Sequence, residues 1–191
     1  MAPKFEQHLS STMRMNDSLM VYFAGHGATE NVSVGEEEGY IIPVDGDKEN
    51  YRGTAISMTY IRDMIIRYRA KHILFVFDSC YSGLGLKRGG GITKTVSGFI
   101  KMMSQKRASQ IITAGGKNEQ AAEEKGHGVF TRVFLEALDG KEGLNKNGYI
   151  LASDIGQMVR KKVSEKTNFR QTPLFGWLDG EGDFIFESYG E

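Results

Sequence analysis

Three apolar runs of strand length predict an α/β fold: Ser18 to Ala24 (SLMVYFA), His72 to Asp78 (HILFVFD) and Gln110 to Ala114 (QIITA). The segments between and after them place apolar residues at helical spacing. Strands that alternate with helices imply a mostly parallel sheet covered by helices on both faces. No composition shift or Pro-rich linker divides the 191 residues, of which 40% are hydrophobic, so one core and one domain are expected.

The elements follow in order. Phe5, Leu9 and Met13 lie at helical spacing before Asn16 and Asp17, which read as a turn. The first apolar run, continuous enough for a strand covered on both faces, stops at Gly25, His26 and Gly27. Residues 28–46 read as a short β excursion with a solvated acidic tip at Glu36, Glu37 and Glu38. Ser57 is placed to cap a helix whose Ile61, Met64, Ile65 and Tyr68 form one apolar stripe. The second strand opens at His72 and the third at Gln110. A helix over 128–138 follows, with Val129, Phe130, Val133, Phe134, Ala137 and Leu138 on its apolar face. Another starts at Ser153 and carries Ile155, Val159 and Val163, and DFIFES closes the chain as a strand.

Charge and cysteine content exclude several classes. Twenty-four basic and twenty-four acidic residues cancel, which leaves no general footprint for nucleic acid or an anionic membrane. The single cysteine forms no internal disulfide and suits a reducing compartment. The opening MAPKFEQHLS lacks an apolar stretch of signal-peptide length, and no run reaches the roughly 18 apolar residues of a membrane span. A soluble, cytoplasmic, non-exported protein is expected. Gly83, Gly85, Gly89, Gly90 and Gly91 fit no phosphate-loop or dinucleotide fingerprint in its strand-to-helix setting.

In open parallel sheets, chemistry gathers at the carboxyl ends of the strands. His26 follows the first strand and Cys80 the second, so both belong to one sheet edge. A thiol of pKa about 8.5 is mostly protonated at neutral pH and becomes an efficient nucleophile when an imidazole takes its proton. The bland alternative makes Cys80 a small buried hydrophobe and His26 a turn residue. Asp78 adds a carboxylate. If strand geometry persists to Cys80, the two side chains share a face about 6.5 to 7 Å apart. A carboxylate there repels a thiolate and suits a cationic Lys or Arg of a substrate better. The competing reading is that Asp78 caps the following turn. Ser79 and Ser82 lack a Gly-x-Ser-x-Gly elbow. His72 opens a strand and His127 lies in a Gly-flanked loop, which makes both weaker candidates.

DSLMVYFAGHG followed by HILFVFDSCYSG resembles the caspase-like cysteine peptidases, the superfamily of caspases, metacaspases and paracaspases. The similarity extends through IITAGGKNEQAAEEKGHGVFTRVFLEAL and QTPLFGW and covers roughly residues 16 to 186. It is nearest to prokaryotic caspase-like, metacaspase and paracaspase members, whose nucleophile sits in Asp-x-Cys-x-Ser-Gly. The resemblance implies a three-layer α/β/α sandwich and peptide-bond hydrolysis. Cys80 would be the nucleophile and His26 the general acid and base, with the backbone N–H groups of Gly27 and Cys80 as oxyanion donors. It also implies that Asp78 lines the primary specificity pocket, so that a polypeptide is cut after Arg or Lys. Glu119 or Glu123 would add a second pocket carboxylate, and the spacing does not say which.

From Leu84 to Asn118 there is no acidic residue but seven basic ones, a pattern of solvated loops. By resemblance, this is where family members are cut into large and small portions. The expected organisation is a large-subunit-like part at about 1–86, a basic linker at about 87–108 and a small-subunit-like part at about 109–191. Lys87, Arg88, Lys106 and Arg107 become self-cleavage candidates if Asp78 selects basic residues. Caspase-like domains normally begin with a strand, a helix and a second strand before the segment that opens this sequence. The first strand is therefore expected to present an unpaired edge, which a partner chain could complete. No metal or other cofactor is expected: Ile56, Ser57 and Lys87 stand where calcium-binding members carry acidic residues, and DGKEGLNKNGY lacks calcium-loop spacing. Two other readings stay open, a catalytically inactive caspase-like interaction module truncated at its amino end and a doubly wound ligand-binding domain with an incidental cysteine.

Overall fold

The computed structural model describes residues 7–9, 11–68, 70–80, 96–116, 119, 121–124, 127–144 and 148–187, with Cys80, Val96, Ser97, Glu124, His127 and Glu142 described by backbone alone. Its centre is a four-stranded sheet ordered β1 (Ser18–Ala24), β5 (His72–Cys80), β6 (Ala108–Gly115) and β10 (Leu174–Gly180). β1, β5 and β6 are parallel and β10 is antiparallel to β6. The mostly parallel sheet expected from the three apolar runs is therefore present.

Period-two alternation along β5 builds the layers. Ile73, Phe75 and Phe77 join Ile111 on one face, under α2 (Met58–Arg67), whose Ile61, Met64 and Ile65 are buried as its stripe requires. Leu74 and Val76 join Ile112 and Ala114 on the other face, under α4 (Val129–Leu138) and α5 (Ala152–Lys166). Burying each of Phe75, Phe77, Phe130 and Phe134 contributes about 1.5 to 3 kcal/mol before entropy is counted. Ser57 caps α2, its Oγ accepting the Tyr60 N–H at 3.0 Å.

A second sheet, antiparallel, contains β2 (His26–Ser33), β3 (Glu36–Ile42) and β4 (Ile56–Ser57), which is the β excursion read from residues 28–46. A short helix, α1 (Tyr51–Thr54), precedes β4. Two small hairpin-like pairs join β7 (Glu123–Glu124) to β8 (His127–Gly128) and β9 (Tyr149–Leu151) to β11 (Ile185–Glu187).

Three expectations change. β1 is not covered on both faces: Leu19, Val21 and Phe23 pack on the α2 layer, while Met20 and Tyr22 stay 40% and 43% exposed. β1 ends the sheet, and α4 and α5 cover β5 and β6 instead; among the described residues nothing pairs with its outer edge. The closing strand pairs with β9, and the fourth central strand is β10. Phe175 of β10 lies so close to α5 that a Cβ at Gly156 would collide with its ring. Last, the stretch read as a basic linker contains α3 (Val96–Gln105), whose Ile100 and Met103 are buried. Among the described residues no helix is long and apolar enough to cross a membrane.

Candidate active site

β1 and β5 run in one unbroken register, from Ser18 opposite His72 to Ala24 opposite Asp78. The Gly25 N–H donates to the Asp78 carbonyl at 3.3 Å and extends the pairing by one step. One residue further on, His26 leaves as the first residue of β2 and is exposed, while β5 runs two residues past Asp78 to Cys80. Adjacent parallel strands lie about 4.8 Å apart. His26 and the Cys80 backbone thus both lie past the carboxyl ends of this strand pair, at one edge of the sheet.

The β5–β6 register slips between Phe77 and Cys80: Phe77 faces Thr113 while Cys80 faces Gly115. Three steps along β5 oppose two along β6, which is a bulge. A bulge interrupts regular strand geometry, the condition on which the expected same-face spacing of Asp78 and Cys80 rested. Inside the bulge, Ser79 is buried with no hydrogen-bond partner for its Oγ among the described residues.

Asp78 is half-buried and turned toward the first turn of α4. Its Oδ2 accepts the Thr131 hydroxyl at 2.5 Å, and the Thr131 backbone supplies a further hydrogen bond. Burial pushes the Asp78 carboxyl above the usual aspartate value; the Thr131 donors oppose that shift, and the charge of Glu123 adds to it. The helix leaves a cap vacant, because Gly128 at the N-cap has no side chain to offer. Asp78 fills that place from across the sheet. A Cβ at Gly128 would stand 2.8 Å from Asp78 Oδ2, so the glycine makes the approach sterically feasible. The turn that follows Asp78 in the chain, which it was alternatively expected to cap, lies outside the described residues.

The two glutamates separate. Glu119 Oε2 accepts the Gly116 N–H at 3.1 Å and the Thr172 N–H at 2.7 Å, tying the end of β6 to the segment before β10. Glu123 is exposed on β7 and bears electrostatically on Asp78. Of the pair, only Glu123 has a resolved effect on the Asp78 carboxyl.

Three contributors escaped the sequence reading. Thr131 holds Asp78, and the Tyr22 hydroxyl lies 2.6 Å from Thr131 Oγ1. Gln171, fully buried, donates from Nε2 to the Ala114 carbonyl at 2.9 Å and accepts the Ala122 N–H on Oε1 at 2.9 Å. Because the Ala122 carbonyl accepts the Val129 N–H at 2.9 Å, Gln171 anchors the β7–β8 hairpin that carries Glu123. A Gln beside a Thr-Pro pair was the only signal available for it.

Lys106 and Arg107 lie at the opposite edge, where β6 begins. The Lys106 Nζ lies 3.0 Å from Glu181, and an Arg107 guanidinium nitrogen donates to the Ile65 carbonyl at 2.6 Å. The Arg107 carbonyl accepts the Glu181 and Gly182 N–H groups. His72 also lies at this edge, its Nε2 3.0 Å from the Lys106 carbonyl, and burial lowers its pKa. Lys87 and Arg88 lie outside the described residues. The backbone of His127 pairs with Glu124 in the hairpin. Among the described residues no group of three His, Cys, Asp or Glu side chains converges as metal ligands.

A profile of the caspase domain matches residues 2–177. A structural-genomics crystal structure of a protein from Geobacter sulfurreducens is similar at a TM-score of 0.54 and 17% identity, with 92% of this chain and 72% of that one covered. At that identity the likeness bears on fold alone. No curated protein matches the chain.

Proposed function

The chain belongs to the caspase-domain family of peptidases, and from that premise we propose that it is a cysteine endopeptidase that cuts polypeptides after Arg or Lys. Cys80 is the nucleophile and His26 its acid–base partner. His26 takes the thiol proton as sulfur attacks the scissile carbonyl, and the backbone N–H groups of Gly27 and Cys80 receive the oxyanion. The imidazolium returns the proton to the leaving amine, and water, deprotonated by the same imidazole, hydrolyses the thioester and restores the thiol. Asp78, joined by Glu123, faces the cationic side chain before the scissile bond. Glu119, with one oxygen already shared by two backbone donors, is the weaker choice for that role.

One observation carries the reading. The constant β1–β5 register brings the position after Gly25 and the end of β5 to one edge, with a half-buried carboxylate beside them. The test uses fluorogenic peptides ending in Arg, Lys or Asp, with wild-type protein, alkylated protein, Cys80→Ala and His26→Ala. Cleavage after Arg or Lys that alkylation and either substitution abolish supports the assignment. Turnover that survives in Cys80→Ala, or preference for Asp, overturns it.

Self-processing is proposed at Lys87 or Arg88. Lys106 and Arg107 would have to release their hydrogen bonds to Ile65, Glu181 and Gly182 at the far edge and cross the sheet to reach Cys80. Cleavage at the proposed sites would divide the chain into the large and small parts that the resemblance to caspase-like peptidases implies. Intact-mass measurement of active and Cys80→Ala protein decides: fragments ending at residue 87 or 88 in the active protein alone are expected. A polypeptide that adds a strand would pair with the outer edge of β1.

A further inference from the structure

We propose that Thr131 is a positioning residue for substrate selection, holding the Asp78 carboxylate from the first turn of α4 with Tyr22 behind it. The inference rests on the reading of Asp78 as the wall that meets the cationic side chain, and it names what keeps that wall in place.

The hydrogen-bond directions follow from valence. An ionised carboxylate only accepts, so the single Thr131 hydroxyl proton goes to Asp78 Oδ2. Thr131 Oγ1 then has only lone pairs left for Tyr22, and the contact at 2.6 Å must be donated by the Tyr22 hydroxyl. The relay runs Tyr22 to Thr131 to Asp78 and gathers three elements, β1, α4 and β5. Its two donors on Asp78, hydroxyl and backbone, both come from Thr131.

Geometry divides the two carboxylate oxygens. The Cβ direction of Gly128 points at Oδ2 from 2.8 Å and lies 3.9 Å from Oδ1. Oδ2 is therefore the oxygen turned to the helix, and Oδ1 is the one left for a guanidinium or ammonium group. Such a group is attracted by the anion and not by the protonated acid. Burial and the charge of Glu123 both favour the protonated acid, and the Thr131 donors are what oppose them. Among the described side chains, the other charged or titratable groups bearing on Asp78 are Glu123 from β7 and, through Thr131, Tyr22 from β1; Gly128 of β8 and Gly25 after β1 add no side chain. Without the Thr131 hydroxyl, Asp78 stays protonated to higher pH and loses the contact that orients it.

The test compares wild type, Thr131→Val, Thr131→Ser and Tyr22→Phe on a peptide ending in Arg. Loss of one hydrogen bond to a charged group predicts that Thr131→Val raises KM about tenfold, with kcat within about twofold. The acid limb of kcat/KM should move to higher pH, and Thr131→Ser should restore both. Tyr22→Phe should move both in the same direction by about threefold, because its donor acts on Asp78 at one remove. A residue that merely caps the helix would lower thermal stability without this split between KM and kcat. In parallel, the Asp78 carboxyl is titrated by carbon-13 NMR in the Cys80→Ala protein with and without Thr131→Val. An upward shift that Thr131→Ser reverses supports the inference, and an unchanged titration overturns it. Should the wild type fail to cleave after Arg, the reading of substrate class falls, and the carboxyl titration still decides the role of Thr131.

Discussion

Replacing Asp78 with Asn separates a substrate-binding carboxylate from a helix cap, because the amide has the same shape and keeps an oxygen to accept from Thr131. What it loses is charge. Removing one partner of a substantially desolvated ion pair costs about 2 to 5 kcal/mol. Asp78 is only half-buried, so the lower end applies, and about 2 kcal/mol corresponds to a loss of roughly thirtyfold in kcat/KM. The loss should appear with peptides ending in Arg and be absent when citrulline, its neutral isostere, replaces Arg. Stability should respond in the opposite sense. The folded protein binds the Asp78 proton more tightly than the unfolded chain, since burial raises the carboxyl above its ordinary 3.8. The stabilisation this gives is complete at low pH and is lost as pH climbs from 3.8 through the raised value. At pH 7 the charged form carries that cost, and Asp78→Asn removes it. The assay is a pair of measurements, kcat/KM on Arg and citrulline peptides and the thermal midpoint in the Cys80→Ala background. An Arg-to-citrulline ratio unchanged within about twofold, in a variant that melts like the parent, would refute the pocket role.

Three further outcomes follow from the same geometry. Gly128→Ala should displace the Asp78 carboxylate from the first turn of α4 and cut cleavage after Arg about tenfold, read as kcat/KM, since the new Cβ would stand 2.8 Å from Oδ2. Gln171→Leu leaves the Ala114 carbonyl and the Ala122 N–H without their partner. At about 1 to 3 kcal/mol for each unsatisfied group, calorimetry should show the midpoint lowered by roughly 5 to 15 °C. His72 titrates below 6.5 in the fold because burial disfavours its charge. Its contribution is present above 6.5 and is lost as pH falls through the lowered value, because the unfolded chain takes the proton first. His72→Asn should therefore lessen the fall in midpoint below about pH 6.5, and an unchanged slope would refute the assignment.

The elements legible in the sequence are those whose burial is symmetric or one-sided in a simple period. β5 is buried on both faces and reads as an unbroken apolar run, while α2 and α4 bury one stripe and read at helical spacing. β10 hid because Gly176 interrupts Phe175 and Trp177, and its alternation is broken by a register shift after Trp177. α3 had a readable stripe in Phe99, Ile100 and Met103, but the one-signed charge of the region argued for a loop. β1 looks as apolar as β5, and only its place at the end of the sheet leaves Met20 and Tyr22 exposed.

The sequence by itself determined which residues could carry the chemistry. A thiol, an imidazole and a carboxylate each follow an apolar strand, and parallel strands bring such positions to a common edge. It also determined the family, through the two stretches that end in Gly-His-Gly and in Asp-Ser-Cys. Only the tertiary structure decided what surrounds the carboxylate. Tyr22, Thr131 and Asp78 are far apart along the chain, and the packing of α4 over β5 is what brings them within hydrogen-bond reach. Periodicity reports whether a face is buried, because burial depends on repeating residue types. A single hydrogen-bond partner leaves no period, and it appears only when the layers close.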